Sequence, residues 1–144
     1  MPEVLTAEAV LLGGTATTRD DAIDEAGRLL VAVGAVDESY VAAMHERETS
    51  VSTFMGNGLA IPHGTNEAKS LIRHTAISVV RYAQPIDWKG QPAEFVVGIA
   101  GAGDDHLTVL QRLAEVFMDQ GEIDRLRAAG TADEVLAVLG GVQV

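Results

Sequence analysis

RETSVSTFMGNGLAIPHG, residues 47–64, is the stretch from which the rest of the chain can be read. Glycines at 56, 58 and 64 admit backbone angles that a side chain would forbid and let another group approach the main chain closely. Pro62 fixes its own φ and biases Ile61 toward an extended conformation. Leu59-Ala60-Ile61 therefore reads as a short buried strand that delivers His63 to an exposed turn. By residue type alone, a loop histidine is more often a solvated or core-capping residue than a nucleophile.

Upstream, Val10 to Gly14 is apolar and ends in a turn, and Thr17-Thr18-Arg19-Asp20-Asp21 offers an N-cap and an acidic first turn. Ala22, Ile23, Ala26, Leu29, Leu30 and Val33 recur at helical spacing, with Gly34 as the stop. Asp37 is placed to cap a second helix over about 38–48, with Val41 and Met44 toward the core and His45 at its boundary. Residues 50–54 alternate polar and apolar and predict a strand.

Downstream, residues 66–72 predict a short helix and 75–82 a strand. Pro85, Trp88-Lys89-Gly90 and Pro92 suit a surface loop or hairpin over 82–92, before an apolar strand over 94–100. Asp104 is placed to cap a long helix whose stripe is Leu107, Leu110, Leu113, Ala114 and Phe117. A short helix over 121–129 follows, then a capping box at Thr131 and Glu134 opening a last helix that stops at Gly140-Gly141. Interleaved strands and helices predict a layered α/β domain spanning residues 1–144.

The 144 residues are 47% hydrophobic but 4% aromatic, so the core is built from Ala, Val, Leu and Ile. Absent a long apolar run and a basic-then-apolar leader, no membrane insertion or secretion is expected, and a cytoplasmic protein is. With no cysteine, disulfides, thiolate metal sites and a cysteine nucleophile are excluded within the chain. A formal charge of −11 argues against nucleic acid as a partner and suits a basic protein.

Gly56-Asn57-Gly58-Leu59-Ala60-Ile61-Pro62-His63-Gly64, with Arg47-Glu48 before it and Asp105-His106-Leu107-Thr108-Val109-Leu110 after it, resembles the IIA proteins of the sugar phosphotransferase system, mannitol/fructose type. The likeness runs over about residues 4–140, and Glu67-Ala68-Lys69 look closest to the mannitol class. It implies an α/β fold with a mixed sheet flanked by helices on both faces. It also implies a phosphotransferase component with no cofactor or metal. In this reading His63 accepts a phosphoryl group from the phosphocarrier HPr and passes it to a IIB component that works with a membrane-embedded IIC. The IIB acceptor of the mannitol class is a cysteine, consistent with its absence here.

A neutral imidazole, with an ordinary pKa of about 6.5, is an available nucleophile at neutral pH, provided its other nitrogen is tied to an acceptor. That acceptor is a backbone carbonyl or a carboxylate; the sequence leaves both open. The resemblance gives Arg47 to the phosphate oxygens; a surface arginine paired with Glu46 or Glu48 is the plainer alternative. His106 falls in the first turn of its helix, where anions are favoured, and the resemblance makes it a hydrogen-bonding neighbour of the phosphoryl group rather than its carrier. Gly56, Gly58 and Thr65 are further candidate donors. Asp104 and Asp105 are expected to face solvent or cap the helix, and His74 to be structural.

Two other functions stand as alternatives, the first sharing the same site, so that the sequence separates it poorly from transport, and the second disfavoured. One is a nitrogen-type regulatory module of the same fold, in which the phosphorylation state of His63 controls partner proteins. The other is a metal-dependent hydrolase using His63, His106 and an aspartate, which lacks a His-Glu-x-x-His spacing.

Overall fold

The alternation of side chains along β4 (Ala76–Trp88) and β5 (Gln91–Ala100) decides the architecture. In the computed structural model, which describes residues 4–142, these two strands form an antiparallel hairpin at the centre of a five-stranded sheet. Ile77, Val79, Phe95, Val97 and Ile99 join one buried cluster, and Ala76, Val80, Tyr82, Val96 and Ala100 join another. A strand buried on both faces needs helices on both sides.

β1 (Val10–Leu11) lies parallel to β4 at one edge. β3 (Leu59–Ala60) lies parallel to β5, and β2 (Phe54–Gly56) closes the other edge antiparallel to β3. The sheet is therefore mixed. α1 (Arg19–Ala32) and α2 (Glu38–Ser50) supply Ile23, Leu30, Tyr40 and Met44 to one face. α3 (Asp105–Phe117), α4 (Gln120–Ala128) and α5 (Ala132–Leu139) supply Leu113, Leu126 and Leu139 to the other. The expected mixed sheet with helices on both faces is the fold observed.

Several local expectations shift. α2 continues to Ser50, and ladder pairing begins only at Phe54, so the predicted strand over 50–54 is mostly a connection. The reason is Glu48, whose 1%-exposed carboxylate accepts the Thr53 N–H and hydroxyl and the Trp88 indole N–H, drawing the chain inward. Its burial is sustained by those three donors. Of the surface loop or hairpin expected over residues 82–92, the hairpin is observed: Lys89 and Gly90, both at positive φ, form a two-residue turn between the Trp88–Gln91 pair. Pro85 is accommodated because the register slips between Arg81 and Ile86.

On α3 the buried stripe is Val109, Leu113 and Phe117, four residues apart, and Leu107 is 68% exposed. Of the predicted stripe, Leu113 and Phe117 are buried and Leu110 packs against the core, while Leu107 is left outside because Gly101 packs against the backbone of His106 and fixes the helix's start. Asp37 and Asp104 make no side-chain cap. Asp37 pairs with Arg73, whereas Thr18 and Thr131 do cap α1 and α5. In the capping box, Glu134 reaches the N–H of Gly130 rather than that of Thr131.

α1 crosses the sheet where Gly98 leaves room for it. A Cβ at Gly98 would lie 2.6 Å from the Ser78 hydroxyl oxygen and 3.2 Å from the Ala26 Cβ, while that hydroxyl donates to the Ala26 carbonyl at 2.8 Å. Gly98→Ala is expected to lower stability by about 1–3 kcal/mol through overpacking, read as a lower urea midpoint. An unchanged midpoint would mean that α1 lifts off the sheet without cost.

Candidate functional site

The segment from Ile61 to Gly64 is laid along the C-terminal end of β5. The Ile99 N–H donates to the Pro62 carbonyl at 3.0 Å, and His63 forms a bridge to Ile99. The segment reaches this place through the tight turn at Asn57-Gly58, both at positive φ, and through the short parallel pairing of β3 with β5. The Tyr40 hydroxyl ties the far side: it donates to the Ile99 carbonyl and accepts the Gly64 N–H, each at 2.9 Å. Gly64 must be a glycine here, since a Cβ would meet the Tyr40 ring at 2.6 Å.

His63 is half-buried rather than on an exposed turn as expected. Its Nδ1 lies 2.7 Å from the Ile61 carbonyl. A carbonyl only accepts, so Nδ1 carries the proton and Nε2 presents its lone pair. The acceptor left open by the sequence is thus a backbone carbonyl. Burial is the main reason the His63 ring is held below its ordinary pKa; Arg47 pushes the same way, against the Ile61 carbonyl and the charge of Glu48.

His106, at the second residue of α3, faces His63 with ring centroids 4.7 Å apart and planes tilted by 52°. Burial, then His63, Lys69 and Arg47, push its pKa down to about 4, so this ring is uncharged at neutral pH. The start of α3 is pinned by Thr75, which donates to the Asp105 carboxylate at 2.6 Å and accepts the Ala102 N–H at 3.1 Å. Asp105 is therefore half-buried and engaged, not a cap, while Asp104 is exposed as expected.

Arg47, on the last turn of α2, donates to the Val51 carbonyl at 2.8 Å and is not paired with Glu46 or Glu48 as the plainer reading had it. Its side chain lines a cleft of about 430 Å³ together with His63, His106, Thr65 and Lys69. The three residues singled out from the sequence, Arg47, His63 and His106, converge there. Gly56 and Gly58 belong to the β2–β3 turn instead and do not line the cleft. His45 pairs with Asp24 at 2.7 Å, and His74 contacts the Thr75 carbonyl away from the cleft. Tyr40 and Lys69 were not identified as site residues. Tyr40 carries no local motif, and Lys69 had only its place in a Glu-Ala-Lys run.

Two neutral rings, one guanidinium and one ammonium, with Glu67 as the acidic residue among the lining, make the half-buried cleft a receptor for a small anion with a nucleophilic nitrogen beside it. Among the described residues no group of three or more His, Cys, Asp or Glu side chains is arranged to hold a metal ion, so the hydrolase alternative finds no ligand set.

The comparisons with known proteins agree with this class. Residues 3–141 match the family model described as "Phosphoenolpyruvate-dependent sugar phosphotransferase system, EIIA 2". The chain belongs to that family, and is thus a phosphotransferase component of the IIA kind. It is 45% identical over 139 residues to the mannitol-specific phosphotransferase enzyme IIA component of Halalkalibacterium halodurans, covering 96% of each chain. Among solved structures, mannitol enzyme IIA of Escherichia coli in complex with phosphorylated mannitol enzyme IIB superposes with a TM-score of 0.87 at 36% identity, covering 94% of this chain and 96% of that one. The crystal structure of Escherichia coli mannitol IIA gives a TM-score of 0.85 at 36% identity over 93% and 97% of the two chains.

Because the folded His63 and His106 hold their protons less tightly than an unfolded histidine, the unfolded chain binds more protons below about pH 6.5. The associated stability is complete above that pH and is lost as pH falls toward about 4. The melting temperature should therefore drop between pH 7 and pH 4.5, and drop less steeply in His106→Asn. Equal slopes would show that His106 does not resist protonation.

Proposed function

We propose that His63 carries the phosphoryl group on Nε2, receiving it from phospho-HPr and passing it to a IIB component for uptake of mannitol or a related sugar alcohol or fructose. The observation that carries this reading is the Nδ1 contact to the Ile61 carbonyl at 2.7 Å, which leaves Nε2 free and nucleophilic beside His106 and Arg47. As the N–P bond forms at Nε2, the N–P bond on the donor ring breaks. Nδ1 keeps its proton, and the Ile61 carbonyl stabilises the positive charge that the ring acquires. The transition state is loose, with charge on the outer oxygens, so positioned donors matter more than covalent help.

Arg47 would neutralise those oxygens, and His106 would donate to one of them. The mannitol assignment rests on the naming of the relatives, and a IIB partner on the solved mannitol IIA–IIB complex. The membrane-embedded IIC is expected to be reached only through IIB, in the cytoplasm. Among the described residues no helix is long and apolar enough to cross a membrane. No feature of the cleft favours the regulatory alternative over this one.

Incubation with enzyme I, HPr and phosphoenolpyruvate is expected to label the protein with acid-labile, alkali-stable phosphate. His63→Ala should take no label. His106→Ala should retain part of it and pass it on more slowly, and Arg47→Ala should transfer more slowly with its melting temperature kept near that of the wild type. Label on His63→Ala would refute the assignment, and complete loss in His106→Ala would refute the division of roles. Relay to purified mannitol and fructose IIB proteins then separates the two substrate classes.

A further inference from the structure

We propose that Lys69 is a second phosphoryl-binding cation, leaving the Gly103 carbonyl to hold an oxygen of the group carried by His63. This rests on the reading of His63 as the phosphorylated residue.

Lys69 belongs to the 3-10 segment Asn66–Leu71, which follows His63, Gly64 and Thr65 directly, and it lines the same cleft as both histidines and Arg47. Its ammonium is hardly engaged. The contact to the Gly103 carbonyl is 3.4 Å, at the long limit of a hydrogen bond, and among the described residues Lys69 forms no ion pair. An exposed lysine on a flexible stem has the reach to change partner at little cost.

Charge balance requires such a group. A phosphoryl group adds about two negative charges at neutral pH, and Glu48 lies buried close enough to act on His63. Glu67, which lines the same cleft, adds to the negative side, and against them stand Arg47 and the positive charge that the phosphorylated His63 ring acquires. His106 is uncharged at neutral pH and offers an N–H rather than a full charge. Arg47 also gives one N–H to Val51. In a half-buried cleft, where charge is poorly screened, Arg47 and the ring together leave the loaded state under-neutralised, and Lys69 is the remaining cationic side chain lining the cleft.

The test separates holding the phosphoryl group from docking the donor. A docking residue changes rates and KM but not the equilibrium between phospho-HPr and this protein, because the partners are apart in both end states. A phosphoryl-binding residue shifts the equilibrium itself. With enzyme I removed after loading, Lys69→Gln should move the phosphoryl distribution about tenfold toward HPr, the size expected for one charge-assisted hydrogen bond. Lys69→Arg should stay within about threefold of the wild type, and both variants should melt as the wild type does because the side chain is exposed. A Lys69→Gln equilibrium equal to that of the wild type, whether or not its rate falls, overturns the proposal. A wild-type protein that takes no label overturns the reading of His63 and this inference with it.

Discussion

The site depends on how the backbone of Ile99 is shared. Its N–H donates to the Pro62 carbonyl and its carbonyl accepts the Tyr40 hydroxyl, which in turn accepts the Gly64 N–H. One residue at the end of a strand buried on both faces thus fixes the peptides on either side of His63. A strand so enclosed cannot slide, since a one-residue slip would exchange the two cores. The imidazole inherits that rigidity, and the Ile61 carbonyl fixes its proton. Orientation and tautomer are therefore settled before any partner arrives, which is how a nucleophile avoids reorganisation at the moment of transfer.

The electrostatics run against the character of the whole molecule. A chain with a formal charge of −11 gathers Arg47 and Lys69 around one cleft and keeps both facing rings uncharged. Burial lowers both histidine pKa values, and the nearby cations lower them further. The same surroundings that favour an incoming anion therefore also keep the nucleophile's lone pair available. Glu67, which lines the cleft, and the buried Glu48, whose carboxylate is held by Thr53 and Trp88, are the local exceptions. Glu48 shapes the end of α2, and so the position of Arg47, while its charge still acts on His63.

How far the sequence could be read follows from the range of the interactions. The turn, the extended Ile61 and the placed histidine were legible because glycine and proline act on their own backbone. The pairing of His63 with His106 was legible only through the family resemblance, since 43 residues separate them and no local rule brings them together. Tyr40 was invisible as a site residue because its role is a hydroxyl bridge to chain 24 and 59 residues away. The strand expected over residues 50–54 failed, as did Leu107 at the head of a stripe whose Leu113 and Phe117 are buried as expected, and for a related reason. In each, a tertiary contact, the Glu48 carboxylate or the Gly101–His106 backbone packing, overrode a local period.

The contrast between how firmly the ring is held and how loosely the cations are held has its own logic. The family's task is transfer, so an intermediate bound too tightly would be as useless as one bound too weakly. In the proposed role of His63, a precisely oriented imidazole would speed arrival and departure alike, because both would use the same Nε2 geometry. Deeply buried, permanently paired cations would instead deepen the well of the loaded state. Here Arg47 sits at a helix end with one carbonyl partner, and Lys69 on an exposed stem with one long contact. In the proposed relay, cations mounted this way would follow the phosphoryl oxygens as they move toward an acceptor and relax onto backbone carbonyls once the group has gone. Rigidity at the nucleophile with compliance at the charges is the arrangement that lets one site serve both directions of a relay.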